Sequence, residues 1–428
     1  MFWLSVAGGV FLVWLVLVFL FTPGINYHLA CRTSVHDDDF LHTLQSTCQA
    51  ALHQGNTITV LTNGPLFYPA MLEAIAAARR SINMECYVFQ PGRVADQFIA
   101  ALSERARHGV NVSIVVDAIG SLSLWGRPVR RLREAGCRIE SYRPLRWYSL
   151  ARLNNRTHRE LLVVDGRVAF TGGAGIADWW MYPSRRAPVG RTVSFRKRQP
   201  WRDTMARIEG PVVAALQGVA AENWLECCGE ITTGQGHFPE LQRCGDTTAF
   251  VIKSSPSDRA TASRVAFQLL MEGADHHVRL ATPYFLPDRA LRRALVDLRM
   301  RGVAVTVIVP GRHTDQKWVR LASRRMWGTL LEAGVEICEY RQTMTHAKVL
   351  IVDELWSVIG TTNIDNRSFE HNDEVSLAMR DPAVAARLLQ DYERDILDSE
   401  AIPLARWQRR PLWEKVLGTF TWILERQQ

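Results

Sequence analysis

Apolar residues run unbroken at the start of this 428-residue chain, and beyond it they recur at alternating and then at helical spacing, twice over. No Asp, Glu, Lys or Arg occurs from Met1 to Ala30. Within that stretch Phe2–Thr22 has about the 20 residues a helix needs to cross hydrocarbon, and Pro23-Gly24 stops it. The run is long and lacks the basic start of a cleaved leader, so residues 1–24 are read as an uncleaved transmembrane anchor. Arg32 followed by Asp37, Asp38 and Asp39 leaves the positive-inside rule little to count, and the orientation stays open.

Residues 25–55 read as a juxtamembrane linker. Beyond them the chain repeats itself. Strand patterns Ile82–Tyr87 and Val278–Tyr284 each run into a tyrosine. A helix, a Gly-Val pair and a β-branched strand follow in Ala101–Asp117 (ALSERARHGVNVSIVVD) and in Ala294–Pro310 (ALVDLRMRGVAVTVIVP). Leu132–Pro144 and Leu330–Gln342 both read as a helix end, a glycine cap and a strand. The last match is HRELLVVD (His158–Asp165) against HAKVLIVD (His346–Asp353). Four matches in one order, at an offset of about 190 residues, indicate an internal duplication. Strands alternating with helices predict an α/β fold: two similar lobes, residues 56–240 and 241–400, joined at Ile231–Glu240. Residues 401–428 form an amphipathic tail. Its Leu412, Trp413, Val416, Leu417, Phe420, Ile423 and Leu424 suit either a membrane-surface helix or one packed on the domain.

Composition narrows the function. With 47% hydrophobic and 22% charged residues the chain is an ordinary globular protein, which excludes a disordered tail, a collagen-like fibre and a polytopic transporter. Lys plus Arg number 51 against 43 for Asp plus Glu, a formal charge of +8. That excess points to an anionic partner, and the 14 Trp suit a membrane interface. Eight cysteines without a CxxC pair argue against a zinc ribbon; a Cys31–Cys48 bridge stays open. The basic aromatic stretches Tyr142–Arg156 and Arg191–Arg202 suit loops that meet anionic lipid, or plain solvated loops.

The chemistry gathers at the HxK segment. Alternation along a strand puts His346 and Lys348 on one side. Duplication brings a second histidine, His158, to the same point. Two imidazoles and a cation suit a phosphodiester: one ring attacks phosphorus, the other protonates the leaving oxygen, and the cation stabilises the phosphate. The scheme needs neither metal nor nucleotide cofactor. Asn363 offers an amide near the phosphate, and Asp203 and Glu374 are candidates to orient the rings.

HRELLVVDG, FTGGAGIAD, WRDTMARIEGP and IGTTNIDNRSFEHNDEV resemble the phospholipase D superfamily, and within it the bacterial cardiolipin synthases. The resemblance spans nearly all of residues 56–400. It implies two phospholipase D-type lobes, each a mixed β-sheet flanked by helices, with one active site between them. It implies catalytic roles for His158, Asp165, His346, Lys348 and Asp353, and a phosphatidyl-histidine intermediate with His158 as nucleophile. The expected partners are the membrane and an anionic phospholipid, phosphatidylglycerol, with no nucleic acid and no obligate protein partner. The expected location is a bacterial inner membrane, crossed once. The sequence departs from the pattern at Glu160, where a lysine is expected, and at Met205, where many relatives carry His. Arg156 and Arg159 are the candidates to neutralise Glu160. Glu160 keeps two alternatives open beside phosphatidyl transfer: a hydrolase of phospholipid or nucleic acid, and a weakened lipid-binding homologue.

Overall fold

The computed structural model describes residues 27–144, 154–183, 199–255 and 261–422, with isolated positions among residues 3–25. The first half contributes strands β1 His53–Thr62, β2 Ser81–Cys86, β3 Asn111–Asp117, β4 Arg138–Tyr142, β5 Arg156–Thr157, β6 Leu161–Val164, β7 Val168–Gly172 and β8 Thr204–Glu209. The second contributes β9 Thr247–Ser254, β10 His277–Ala281, β11 Ala304–Pro310, β12 Glu336–Tyr340, β13 Val349–Val352, β14 Trp356–Gly360, β15 Asn372–Arg380 and β16 Ser399–Ala401. They form one mixed sheet in the order β16-β12-β11-β10-β13-β14-β15-β9-β1-β8-β7-β6-β2-β3-β4, with β5 paired off this path to β15.

That order is the duplication in space. Outward from the middle, β1-β8-β7-β6-β2-β3-β4 matches β9-β15-β14-β13-β10-β11-β12. In the matched strands β2-β3-β4 and β10-β11-β12 are parallel, and the other neighbours along the path are antiparallel, the edge pair β12–β16 included. The halves are not separate sheets: β1 pairs antiparallel with β9, so the ladder runs through. Leu161–Val164 and Val349–Val352 are buried throughout, which is why both read as unbroken apolar runs. One face of the middle of the sheet has a core shared by both halves, including Ile208, Leu216, Ile351 and Leu377. Each half also has a core of its own, around Phe98 and Phe170 in the first and Leu291 and Trp327 in the second.

Residues 25–55 are not a linker. Asp38–Cys48 is a helix whose Phe40, Leu44 and Cys48 are buried, and all three belong to the second half's core. Phe40 meets the Trp356 ring edge-on with centroids 5.5 Å apart, and Trp356 Nε1 donates to the Val35 carbonyl at 3.1 Å. The polar composition of the segment hides an i, i+4, i+8 apolar stripe. Cys31 and Cys48 are free thiols, the first exposed and the second buried. In the tail, Leu412–Trp422 is a helix that packs on Lys317–Glu332. Glu414 accepts from Arg324 Nε at 2.6 Å, while Leu412, Trp413 and Val416 stay exposed. The tail thus docks through its acid and leaves apolar side chains outside. Among the described residues no helix is long and apolar enough to cross a membrane; most of Phe2–Thr22 lies outside them.

Phe40→Ala removes an enclosed ring and leaves a cavity, a change that costs about 3–5 kcal/mol. Urea denaturation should show that loss. A change below about 1 kcal/mol would mean that the helix only rests on the second half.

Candidate active site

The chain leading to each histidine is stitched to the opposite half. β5 runs parallel to the start of β15, Arg156 opposite Asn372 and Thr157 opposite Asp373. The His158 amide then donates to the Asp373 carbonyl at 2.8 Å. On the other side Thr345 bridges in parallel to Arg202, and the His346 amide donates to the Arg202 carbonyl at 2.7 Å.

The side chains cross in the same way. His158 Nδ1 lies 3.1 and 3.2 Å from the two Glu374 oxygens. His346 Nδ1 lies 3.1 Å from Asp203 Oδ2 and 3.0 Å from the Gly173 carbonyl. Acceptors at Nδ1 hold the proton there and leave Nε2 with its lone pair, the tautomer being assigned from these partners. Glu374 also accepts from Thr361 Oγ1 and from Asn372 Nδ2. Asp203 accepts from Trp180 Nε1 at 2.9 Å and from the Thr204 amide at 2.8 Å. Burial alone would raise the Asp203 carboxyl; His346, Lys348 and the Thr204 amide outweigh it and bring it below the usual range.

Lys348 Nζ sits against the His346 ring, 2.9 Å from Nδ1 and 3.1 Å from Nε2, and donates to the His346 carbonyl at 2.9 Å. Burial pushes this ammonium below its usual range against the pull of Asp203, Glu374, Asp315 and Glu160. Carboxylates from both halves therefore converge on one buried cation. Burial and Lys348 likewise lower His346, with Asp203 opposing.

Glu160 is buried, and its Oε1 accepts from the Tyr87 and Val88 amides at 3.2 and 3.3 Å. A Cβ on Gly175 would stand 2.9 Å from that oxygen and 2.6 Å from the Val88 carbonyl, so the glycine makes room for the acid. Neither arginine neutralises it. Arg159 pairs with Glu222 at 3.0 Å and Arg156 with Asp117 at 3.4 Å, because alternation turns Arg159 to the other face of the strand. Burial drives the Glu160 carboxyl well above the usual range.

The two histidines, Glu374 and the HxK segment lie within residues 71–184 and 268–396, which match the family described as cardiolipin synthase, PLD-like domain; Asp203 lies between the two matched stretches. Cardiolipin synthase of Alkalihalophilus pseudofirmus is 32% identical over 368 residues, 85% of this chain and 71% of the relative. The chain belongs to the cardiolipin synthase family. The major cardiolipin synthase ClsA of Bacillus subtilis is 29% identical over 397 residues, 92% of this chain and 80% of its own length. Cardiolipin synthase A of Serratia proteamaculans is 32% identical over 375 residues, covering 85% and 74%. Among solved structures, phosphatidylserine synthase of Haemophilus influenzae Rd KW20 superposes with a TM-score of 0.63 at 12% identity, covering 90% of this chain and 97% of that one. At that identity the likeness is one of fold.

In this cardiolipin synthase-family chain two expected catalytic residues stand elsewhere. Asp165 and Asp353 follow their histidines by seven residues of extended chain, about 23 Å at roughly 3.3 Å per residue. Each adopts left-handed backbone, φ 53° and 50°, which Asp tolerates. Asp165 accepts from the Arg79, Arg80 and Ser81 amides at the start of β2. Asp353 accepts from Asp275, His276 and His277 at the start of β10. They anchor turns at the far ends of β6 and β13. His36, Asp275 and Asp353 are the one group of three potential metal ligands among the described residues; it lies at that remote turn, where Asp275 is already held by Arg32 and Ser34.

Asn363 is buried, and its Oδ1 has no hydrogen-bond partner. Met205 is buried core opposite Gly172 and Leu61, so this departure does not touch the site. Aromatic walls were missed in the sequence. Tyr87 stands 5.0 Å from the His158 ring, Trp180 and Trp201 each 5.7 Å and Tyr284 6.5 Å from His346. The signal was present, since Tyr87 and Tyr284 end the first matching strands of the repeat. Most of the two basic aromatic stretches, residues 145–153 and 184–198, lies outside the described residues.

A raised Glu160 pKa means that the folded chain holds a proton the unfolded chain releases. Its stabilising effect is complete below the unfolded pKa and is lost as pH rises through the folded one. Glu160→Gln should therefore match the wild type in Tm near about pH 4 and exceed it increasingly toward about pH 8. A gap that does not change with pH would show that Glu160 is ionised.

Proposed function

We propose that this chain is a membrane-anchored phosphatidyltransferase that makes cardiolipin from two phosphatidylglycerol molecules and releases glycerol. The observation that carries the reading is the crossed pair of histidines, each on a buried carboxylate from the other half, with the buried ammonium of Lys348 against the His346 ring. One ring attacks phosphorus and holds the phosphatidyl group. The other delivers a proton to the departing glycerol, then takes one from the incoming hydroxyl. Lys348 and the Asn363 amide meet the non-bridging oxygens. Asp203 and Glu374 fix the tautomers and balance the imidazolium as it forms. Residues 1–24 anchor the enzyme, and the exposed Leu412, Trp413 and Val416 add apolar contact with the bilayer of a bacterial cell membrane. The intact pairs favour an active enzyme over a weakened lipid-binding homologue.

Expression in a bacterial host lacking cardiolipin, followed by lipid extraction, is the direct test. New cardiolipin is expected from the wild type and none from His346→Ala. Phosphatidic acid in its place would make water the acceptor, and an unchanged lipid profile would end the transferase reading.

The anchor has its own check. Removing residues 1–24 should leave a folded protein that no longer sediments fully with phosphatidylglycerol vesicles. Sedimentation equal to that of the whole chain would transfer the membrane contact to the tail and loops.

A further inference from the structure

The two histidines share three features and differ in the residue two positions on. Each ring is held at Nδ1 by a buried carboxylate, each is backed by a tyrosine, and each follows a backbone link to the other half. Lys348 Nζ is within 3.1 Å of both nitrogens of His346. The residue in the same position beside His158 is Glu160. The resemblance to the phospholipase D superfamily makes the first-half histidine the nucleophile, but that expectation presumes a lysine in both halves.

We infer that His346 is the nucleophile and His158 the proton donor, the division being set by Lys348, which touches the His346 ring and has no counterpart two positions after His158. The inference rests on the phosphatidyl-transfer reading above. An ammonium in contact with a ring disfavours its imidazolium and keeps the lone pair available. The same ammonium draws the phosphate anion to that ring, where negative charge builds up during attack. A ring that must carry a proton to the leaving oxygen is better placed away from a cation.

The surroundings agree from every side. His346 is faced by Asp203 ahead of β8, by Asp315 beyond β11, by Tyr284 beyond β10 and by Lys348 on its own segment. His158 is faced by Glu374 of β15, by Asp365 in the turn before it and by Tyr87 beyond β2. Arg156 is paired with Asp117, and Arg367 donates to Asn154. Burial and Lys348 together hold His346 below the usual histidine range.

The step balances. The His346 Nε2 lone pair forms the P–N bond while the P–O bond to glycerol breaks, and His158, which has first taken a second proton at Nε2 from solvent, gives that proton to the leaving oxygen. The acceptor hydroxyl then attacks phosphorus and returns its proton to His158. The P–N bond breaks, and its electron pair goes back to His346.

A substrate whose leaving group needs no proton separates the roles. With a phosphatidyl ester of p-nitrophenol, His158→Ala should still release a burst of p-nitrophenol, while its turnover of phosphatidylglycerol falls by about 10²–10⁴-fold. His346→Ala should give no burst. Alkaline quench of the wild type and peptide mass spectrometry should place the phosphatidyl adduct on His346, a result that does not depend on either variant folding. A burst from His346→Ala alone, or an adduct on His158, would overturn the assignment while leaving the transferase reading intact. Wild type that does not consume phosphatidylglycerol at all would overturn both.

Discussion

Everything at this site depends on the exchange of partners across the pseudo-twofold axis. Neither half can orient its own histidine: His158 needs Glu374 and His346 needs Asp203. The amide of each histidine is also fixed to the other half's backbone. The consequence is that the site is complete only when the halves are in register. The continuous ladder through β1 and β9 and the shared core on one face supply that register. A single rigid sheet is a better support for rings that must be placed to a few tenths of an ångström than two lobes joined by a hinge.

How much of this could be read from the chain follows from sequence distance. The duplication, the strands that carry HRE and HAK, and the carboxylates Asp203 and Glu374 were all legible, because each leaves a local signature. The crossing was not, because partners 143 and 216 positions apart leave no trace in periodicity. Asp165 and Asp353 misled for the opposite reason. They are close to the histidines in sequence, and closeness along an extended strand is distance in space. Their constancy between the halves has a backbone cause, a left-handed turn that must also gather three amides. Residues 25–55 misled because a polar composition masked three apolar positions on one helix face.

Glu160 shows what a duplicated site permits. In one copy the residue after the histidine is a cation lying on the ring; in the other it is an acid seated on two backbone amides. The seat is built for the acid, with Gly175 lacking the Cβ that would collide with it and Asn363 standing at the matching place in the other half. A decayed position would have left a lysine-shaped space and an unfilled hydrogen-bond requirement. Here the backbone donors are used and the arginines once expected to pair with Glu160 are committed elsewhere.

The buried charges give this difference between the halves an electrostatic consequence. Lys348 is surrounded by Asp203, Glu374, Asp315 and Glu160, and a second buried ammonium would double the positive charge in a pocket that already desolvates one. Replacing it by a carboxyl that burial shifts toward its neutral form lowers that electrostatic cost before substrate arrives. It leaves Lys348 as the buried ammonium of the HxK segment, and the ring in contact with that cation is the one whose attack the cation assists. A symmetric fold thereby supports an asymmetric reaction, in which one histidine must be bare when the other is protonated.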